Sequence, residues 1–310
     1  MKKILLTLAA VVLSAGMLSA QDMSQATETA KTANEALVAG NKALALTGFQ
    51  QALELAIACG EEGEELVATC KGVIPNIMLS IAKELIKEGN YDEAVGKLDE
   101  VAEKAKEYGA AEVADEAATL IPQTLIAKGG ELLKVNDYAG AVEAYQKAQA
   151  LDPDNGTLAF RLGQALAGAG KVDEALAAFE TAAKNGQEEV AKKQITNIYL
   201  KRGAAALKVG KFAEAIADAN KAKEYGDNPQ IFLILGQASQ KLNKNNDAIK
   251  NFEQYLELAP SANNAGAIAF TVGALYQKAG NKAKAREFYQ KATSDKQYGA
   301  QAKQLLDALK

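Results

Sequence analysis

One phrase recurs seven times along the chain: a glycine or asparagine, a short polar step, a small residue beside an apolar one, then an aromatic or aliphatic anchor and another small residue. It reads Gly40-Asn41…Ala45-Leu46…Phe49…Ala52, then Gly89-Asn90-Tyr91…Ala94-Val95…Leu98…Val101, and Asn136-Asp137-Tyr138…Ala141-Val142…Tyr145…Ala148. Gly170-Lys171-Val172…Ala175-Leu176…Phe179…Ala182 follows, then Gly210-Lys211-Phe212…Ala215-Ile216…Ala222, Asn243…Ala248-Ile249…Phe252…Tyr255 and Gly280-Asn281…Ala285…Tyr289…Ala292. The turn residues 40, 89, 136, 170, 210, 243 and 280 are 49, 47, 34, 40, 33 and 37 residues apart. Ahead of most turns stands an apolar-small pair with an apolar residue about three positions on: Ile81-Ala82…Leu85, Leu162-Gly163…Leu166, Leu235-Gly236 and Val272-Gly273…Tyr276. Spacings of three and four place these residues on one stripe of a helix. The turn then returns the chain in a second helix, whose small residues let it lie close to the first. Such a hairpin cannot bury its stripe alone and must stack on its neighbours.

These phrases resemble the tetratricopeptide repeat (TPR) family over nearly the whole chain after its first twenty residues. The resemblance implies an all-α, right-handed superhelical solenoid of about seven helix hairpins. The first two repeats, residues 27–120, are lengthened, regular repeats occupy 121–297, and the helical period of the tail over 298–310 reads as a capping helix. Prolines fit the scheme: Pro75, Pro122 and Pro229 are expected to open first helices and Pro153 and Pro260 to close second helices, none lying inside one. The intervals after Gly40 and Gly89 imply longer helices or an extra one. Lys128 and Arg202 stand at positions where the family is usually apolar, and the tryptophan of the first helix is missing.

The N-terminus reads as an address. Lys2 and Lys3 precede an apolar-to-small run from Ile4 to Leu13 and the small-residue stretch 14–20, the order of a secretory signal peptide over residues 1–20, with cleavage after Ala20 or after Gly16. Loss of Lys2 and Lys3 takes the formal net charge from −4 to −6. No other segment approaches 18 consecutive apolar residues. A non-membrane-spanning protein of the periplasm is therefore expected, extracellular release being the alternative, with peripheral association with a membrane complex left open. In an oxidising compartment Cys59 and Cys70 are expected to form a disulfide, closing a short loop worth about 2–3 kcal/mol, free thiols being the alternative. Their spacing is too wide for a C-x-x-C redox pair.

Composition removes whole classes of chemistry. The chain has no His, so nucleophile systems built on imidazole, His-ligated metals and His acid–base catalysis are excluded. With 35 basic against 39 acidic side chains there is no net basic field for a nucleic acid. No paired-carboxylate constellation, phosphate loop or calcium loop emerges: Glu61-Glu62-Gly63-Glu64-Glu65 reads as a helix start, Asn155-Gly156-Thr157 as an inter-repeat turn. The expectation is a non-enzymatic scaffold or adaptor with no cofactor and no metal, binding a peptide or protein.

The TPR pattern implies that first helices line a concave face. On that face fall Leu79, Ile126, Phe160, Leu200, Leu233 and Phe270 in one column, with Lys87, Lys134, Lys208, Lys241 and Lys278 two turns further along. Apolar residues beside a lysine row suit an extended segment carrying acidic groups. Apolar residues at helical spacing are more often packed core, and lysines in a last turn favour the helix dipole without any ligand. The basic residue with which chaperone-binding members clamp a C-terminal carboxylate is replaced here by apolar ones. The alternative is a small-molecule or glycan carrier, with Phe160, Phe270 and Tyr276 as stacking platforms.

Overall fold

The structure, a computed structural model, describes residues 19–309. The leader expected over residues 1–20 lies, but for its last two residues, outside the described residues. Among the described residues there are fifteen α-helices and no strand. They run α1 (Ser19–Val38), α2 (Lys42–Ala58), α3 (Glu64–Glu88), α4 (Tyr91–Glu107), α5 (Ala111–Lys134), α6 (Tyr138–Leu151), α7 (Gly156–Gly168), α8 (Val172–Ala182), α9 (Glu188–Lys208), α10 (Phe212–Tyr225), α11 (Pro229–Lys241), α12 (Asn245–Leu258), α13 (Ala265–Lys278), α14 (Lys282–Ala292) and α15 (Gly299–Ala308). Odd and even helices pair as seven hairpins, and α15 follows as a cap.

Each hairpin turns on the residue the sequence phrase begins with. Gly40, Gly89, Gly170, Gly210 and Gly280 have φ between 77° and 85°, and the two asparagines that replace glycine, Asn136 (φ 60°) and Asn243 (φ 58°), are the only described non-glycine residues with positive φ. Asparagine is among the few side chains tolerated in the left-handed region. The backbone closes identically each time. Asn41 N donates to Ala36 O, Asp137 N to Leu132 O, Lys244 N to Ser239 O and Asn281 N to Tyr276 O, all at 2.9 Å. These satisfy carbonyls the ending helix would leave open. The next residue often caps the new helix: Asn41, Asp137 and Asn281 accept from backbone N–H groups three residues on.

The return helices lie close because they present alanine. Ala45, Ala94, Ala141, Ala175, Ala215, Ala248 and Ala285, one per hairpin, are fully buried. The chain divides between Leu158 and Ala159, within α7, into two compact units. Unit 1 builds its core on Phe49, Ile74, Ile77, Leu98 and Val101; unit 2 builds its own on Ile231, Phe252, Tyr255, Val272 and Tyr289. In unit 2 the cap docks through Ala302, with Leu305, Leu306 and Leu309 against the core.

Two expectations about proline are overturned. Pro75 lies inside α3 and Pro122 inside α5, helices of 25 and 24 residues that account for the long intervals. A mid-helix proline costs about 3 kcal/mol. In α3 it is outweighed, because Leu66, Val73, Ile74, Ile77, Met78 and Leu79 are buried along the helix at roughly 1.5–3 kcal/mol each. Side chains just after each proline bond back into the helix, Asn76 Nδ2 to Gly72 O (2.8 Å) and Thr124 Oγ1 to Leu120 O (2.8 Å). Pro229 opens α11 as expected, and Pro153 and Pro260 follow α6 and α12.

The stretch Gly60–Glu88 is long and apolar enough to cross a membrane by length and composition, and half of its apolar window is buried within the protein. A 3-10 turn, Gly60–Gly63, leads into it, and Glu64 and Glu65 occupy the first turn of α3, where carboxylates favour the helix dipole.

The structure also differs on the cysteines: both are free thiols. Cys59 ends α2, its Sγ donating to Leu55 O at 3.2 Å, while Cys70 is buried in α3 on the far side of the 3-10 turn. Burial pushes the Cys70 thiol up to about 11; partial desolvation, with the Asp22 and Glu62 carboxylates, raises Cys59. Without reductant, a thiol alkylating agent at pH 8 is expected to label Cys59 in the folded chain and Cys70 only after denaturation. No labelling of either residue until reductant is added would restore the disulfide.

Candidate functional site

The first helices of the fifth and sixth hairpins, α9 and α11, enclose a groove of about 690 Å³ with the start of α10. Its floor is apolar: Leu200, Ala204 and Leu207 from α9, Phe212 from α10, Leu233 and Ile234 from α11. Gln230, Gln237 and Gln240 line one wall, and Lys201, Lys208 and Lys241 complete it. Leu200 and Leu233 each lie ten residues before their turn, and Lys208 and Lys241 two before it. The helical rise separates leucine from lysine by roughly 12 Å along each helix. Both leucines are half-buried and all three lysines exposed. No carboxylate lines the groove, and none of the three lysines is ion-paired with a described residue.

The structure thus joins Leu200, Leu233, Lys208 and Lys241 in one groove and disposes of the rest of the expected column differently. Leu79 is buried in the unit 1 core, because the long α3 packs on both sides at that level. Ile126 is half-buried, and on the same helix Lys134 is held by Glu131 at 2.7 Å. Phe160 leans on Phe179, ring centroids 5.4 Å apart. Phe270 stacks on Tyr298 at 4.9 Å and meets Tyr289 at 5.5 Å, so the segment leading to the cap covers it. Tyr276 stacks on Phe288 and its hydroxyl donates to Glu253 at 2.8 Å; burial and that carboxylate push it up to about 12. The aromatic faces considered as sugar platforms are therefore engaged in packing. Lys87 and Lys278 are exposed outside the groove.

The two basic residues at family-apolar positions bind acids on neighbouring helices. Lys128 pairs with Asp92, joining α5 to α4. Arg202 reaches Asp218 (3.3 Å) on α10 and Asp173 (3.5 Å) on α8, and lies over the Tyr199 ring. Sequence reasoning missed Lys201, Phe212 and the glutamines. The glutamines were within reach, since 230, 237 and 240 share a helix face by their spacing.

A larger cavity, about 1160 Å³, lies among α12, α13 and α14 over Leu256 and Phe288. Much of its charge is paired: Glu287 accepts from Lys284 (2.9 Å) and Lys291 (3.0 Å), and Glu253 from Tyr276. The smaller groove differs in having three lysines and no carboxylate in its lining, and for that reason it is the candidate. Among the described residues no group of three or more His, Cys, Asp or Glu is placed to hold a metal ion.

Comparison with known proteins follows the same repeats. Two family models, both described as tetratricopeptide repeat, match residues 126–190, and 229–261 with 268–294. No curated protein sequence matches. Among solved structures, the MamA protein is 18% identical, with 58% of this chain and 94% of that one covered and a TM-score of 0.37. YrrB, titled a TPR protein with an unusual peptide-binding site, is 20% identical over 59% and 91% at 0.35. The C-terminal part of a TPR repeat-containing protein from Cytophaga hutchinsonii is 19% identical over 69% and 77% at 0.38. Hairpins closed by left-handed turn residues, with a buried alanine on every return helix and repeat models matching four of the hairpins, identify residues 126–190, 229–261 and 268–294 as tetratricopeptide repeats.

Proposed function

We propose that the chain is a non-enzymatic scaffold, exported to the periplasm, that holds an extended acidic segment of a partner protein in the groove between α9 and α11. The repeats support a protein–protein interaction role. The observation that carries the finer reading is the groove itself, an apolar floor ringed by three lysines without a single carboxylate. An extended segment sends alternate side chains to opposite sides. Apolar ones fit over Leu200 and Leu233, carboxylates reach Lys201, Lys208 and Lys241, and the glutamine amides serve the segment's backbone. Export is supported by the basic, apolar and small-residue order of residues 2–20.

The test is affinity capture after crosslinking in intact cells. The double variant Leu200→Asn/Leu233→Asn and the triple variant Lys201→Glu/Lys208→Glu/Lys241→Glu are each expected to lose the captured partner by about tenfold or more with native helicity, the lysine variant also keeping its melting temperature because its three side chains are exposed. The lysine variant's defect shrinks at high salt, since exposed charges are screened there. Capture unaffected by both variants removes the groove reading. Recovery of the chain inside spheroplasts, and not in the osmotic-shock fraction, removes the periplasmic one.

A further inference from the structure

The tips of the last three hairpins share a composition found at no tip of unit 1. Flanking Gly210 stand Lys208 and Lys211; flanking Asn243 stand Lys241 and Lys244; flanking Gly280 stand Lys278 and Lys282. All six are exposed, and only Lys211 is ion-paired, with Glu214 at 3.0 Å. Between the lysines, Val209 is 69% and Leu242 39% exposed, large aliphatic side chains at the outermost point of the chain's reversal. Packed neighbouring helices lie roughly 8–10 Å apart. Stacked hairpins therefore bring these tips into one row along an edge of unit 2. The acids near the row are Glu214, already paired, and Asp247. The opposite ends of the same helices mix both signs, Glu188, Glu189, Glu224 and Asp227 with Lys184, Lys221 and Lys223. In unit 1 the tips carry Glu88 and Asp137, Lys42 and Lys134 are ion-paired with Glu84 and Glu131, and Lys87 stands beside Glu88 as the one lysine of its tip.

We infer that this row of tips is a docking edge for an anionic lipid surface. Six of the lysines of a chain whose formal net charge is −4 are gathered there. Protein interfaces favour arginine and aromatic side chains at their centre and are depleted in lysine; between their flanking lysines the tips present only aliphatic, glycine and asparagine residues, with no arginine or aromatic ring. Lysine is a hydrated point charge on a flexible stem, suited to a diffuse sheet of phosphates and not to a bidentate partner. Each lysine near an anionic bilayer adds a comparable increment of attraction, and the protruding Val209 and Leu242 enter the headgroup boundary. The groove's own lysine ends, Lys208 and Lys241, belong to this edge, so a segment held in the groove sits beside the bilayer.

Flotation of the chain without its first twenty residues, mixed with phosphatidylethanolamine vesicles containing one-third phosphatidylglycerol, tests the edge. Lys244, Lys278 and Lys282 do not line the groove, so their replacement separates this inference from the peptide-binding reading. The chain is expected to float with the anionic vesicles and not with neutral phosphatidylcholine vesicles, and to be released by high salt. Lys244→Glu/Lys278→Glu/Lys282→Glu is expected to weaken vesicle partition by about a hundredfold or more, with circular dichroism unchanged. Val209→Ser/Leu242→Ser lowers what binding survives added salt. Equal flotation of the triple variant overturns the inference, as does equal binding to neutral vesicles. So does binding of polyglutamate through these lysines without vesicle binding, which assigns the edge to an acidic protein.

Discussion

Replacing Gly236 by alanine is expected to lower the protein's stability, while the same replacement at Gly203 raises it. Each hairpin sets a small residue of its first helix against a residue sixteen positions later in its second helix. Gly129 faces Tyr145, Gly163 faces Phe179, Gly236 faces Phe252 and Gly273 faces Tyr289. A methyl group built on these glycines would lie 2.6, 2.7, 2.5 and 2.7 Å from the ring opposite, closer than Cβ contacts occur. The rings are themselves buried to 1% exposure or less and have no free space to move into. Overpacking of this kind costs roughly 1–3 kcal/mol. It opposes the gain of about 1 kcal/mol from alanine's better helix propensity, so the net is a loss at 129, 163, 236 and 273. In the fifth hairpin the facing residue is Ala219, and a methyl on Gly203 would meet Ala215 O at 3.4 Å and Asp218 Cβ at 3.6 Å. Ordinary contact leaves propensity to decide, and Gly203→Ala gains about 0.5–1 kcal/mol. Urea denaturation measures both; the same sign at Gly203 and Gly236 would show that the facing ring is not what requires glycine.

Phe252→Ala carries the largest effect, a loss of about 3–5 kcal/mol. The ring is 1% exposed, in contact with Gly236 across the hairpin, and belongs to the unit 2 core. Its removal leaves a void next to a residue with no side chain, so the site cannot collapse from that direction. The same geometry predicts coupling. In the Phe252→Ala background the methyl of Gly236→Ala has room, and the second substitution changes from harmful to helpful. A double-mutant cycle is expected to give an interaction of about 1–3 kcal/mol. Additive changes would mean that Phe252 and Gly236 do not pack as the hairpin geometry requires.

The hairpins were legible in the sequence because their determinants are local. A turn needs a left-handed residue, a close return helix needs alanine, and both recur at fixed offsets, down to the two asparagines that stand for glycine. Prolines misled because the rule against them is a propensity, and in α3 the burial from Leu66 to Leu79 exceeds its cost. A third of the candidate site, Leu200, Leu233, Lys208 and Lys241, was visible as part of a column with a lysine row. Which part of the column opens to solvent was not, since that is decided by helices distant in sequence: Leu79 is enclosed by the long α3 and its neighbours, and Phe270 by Tyr298 ahead of the cap. The disulfide expectation rested on compartment and spacing, and neither specifies that the two thiols sit on opposite sides of a 3-10 turn.

Site-specific photocrosslinking in living cells tests the groove most directly. Ala204 and Gln237 are exposed and line it, whereas Lys250 is exposed on α12 outside it. With a photoreactive residue at 204 or 237, illumination is expected to give one discrete adduct whose attached peptide is rich in Asp and Glu, with none from position 250. Adducts from all three positions alike, or an attached peptide without acidic residues, would contradict the account.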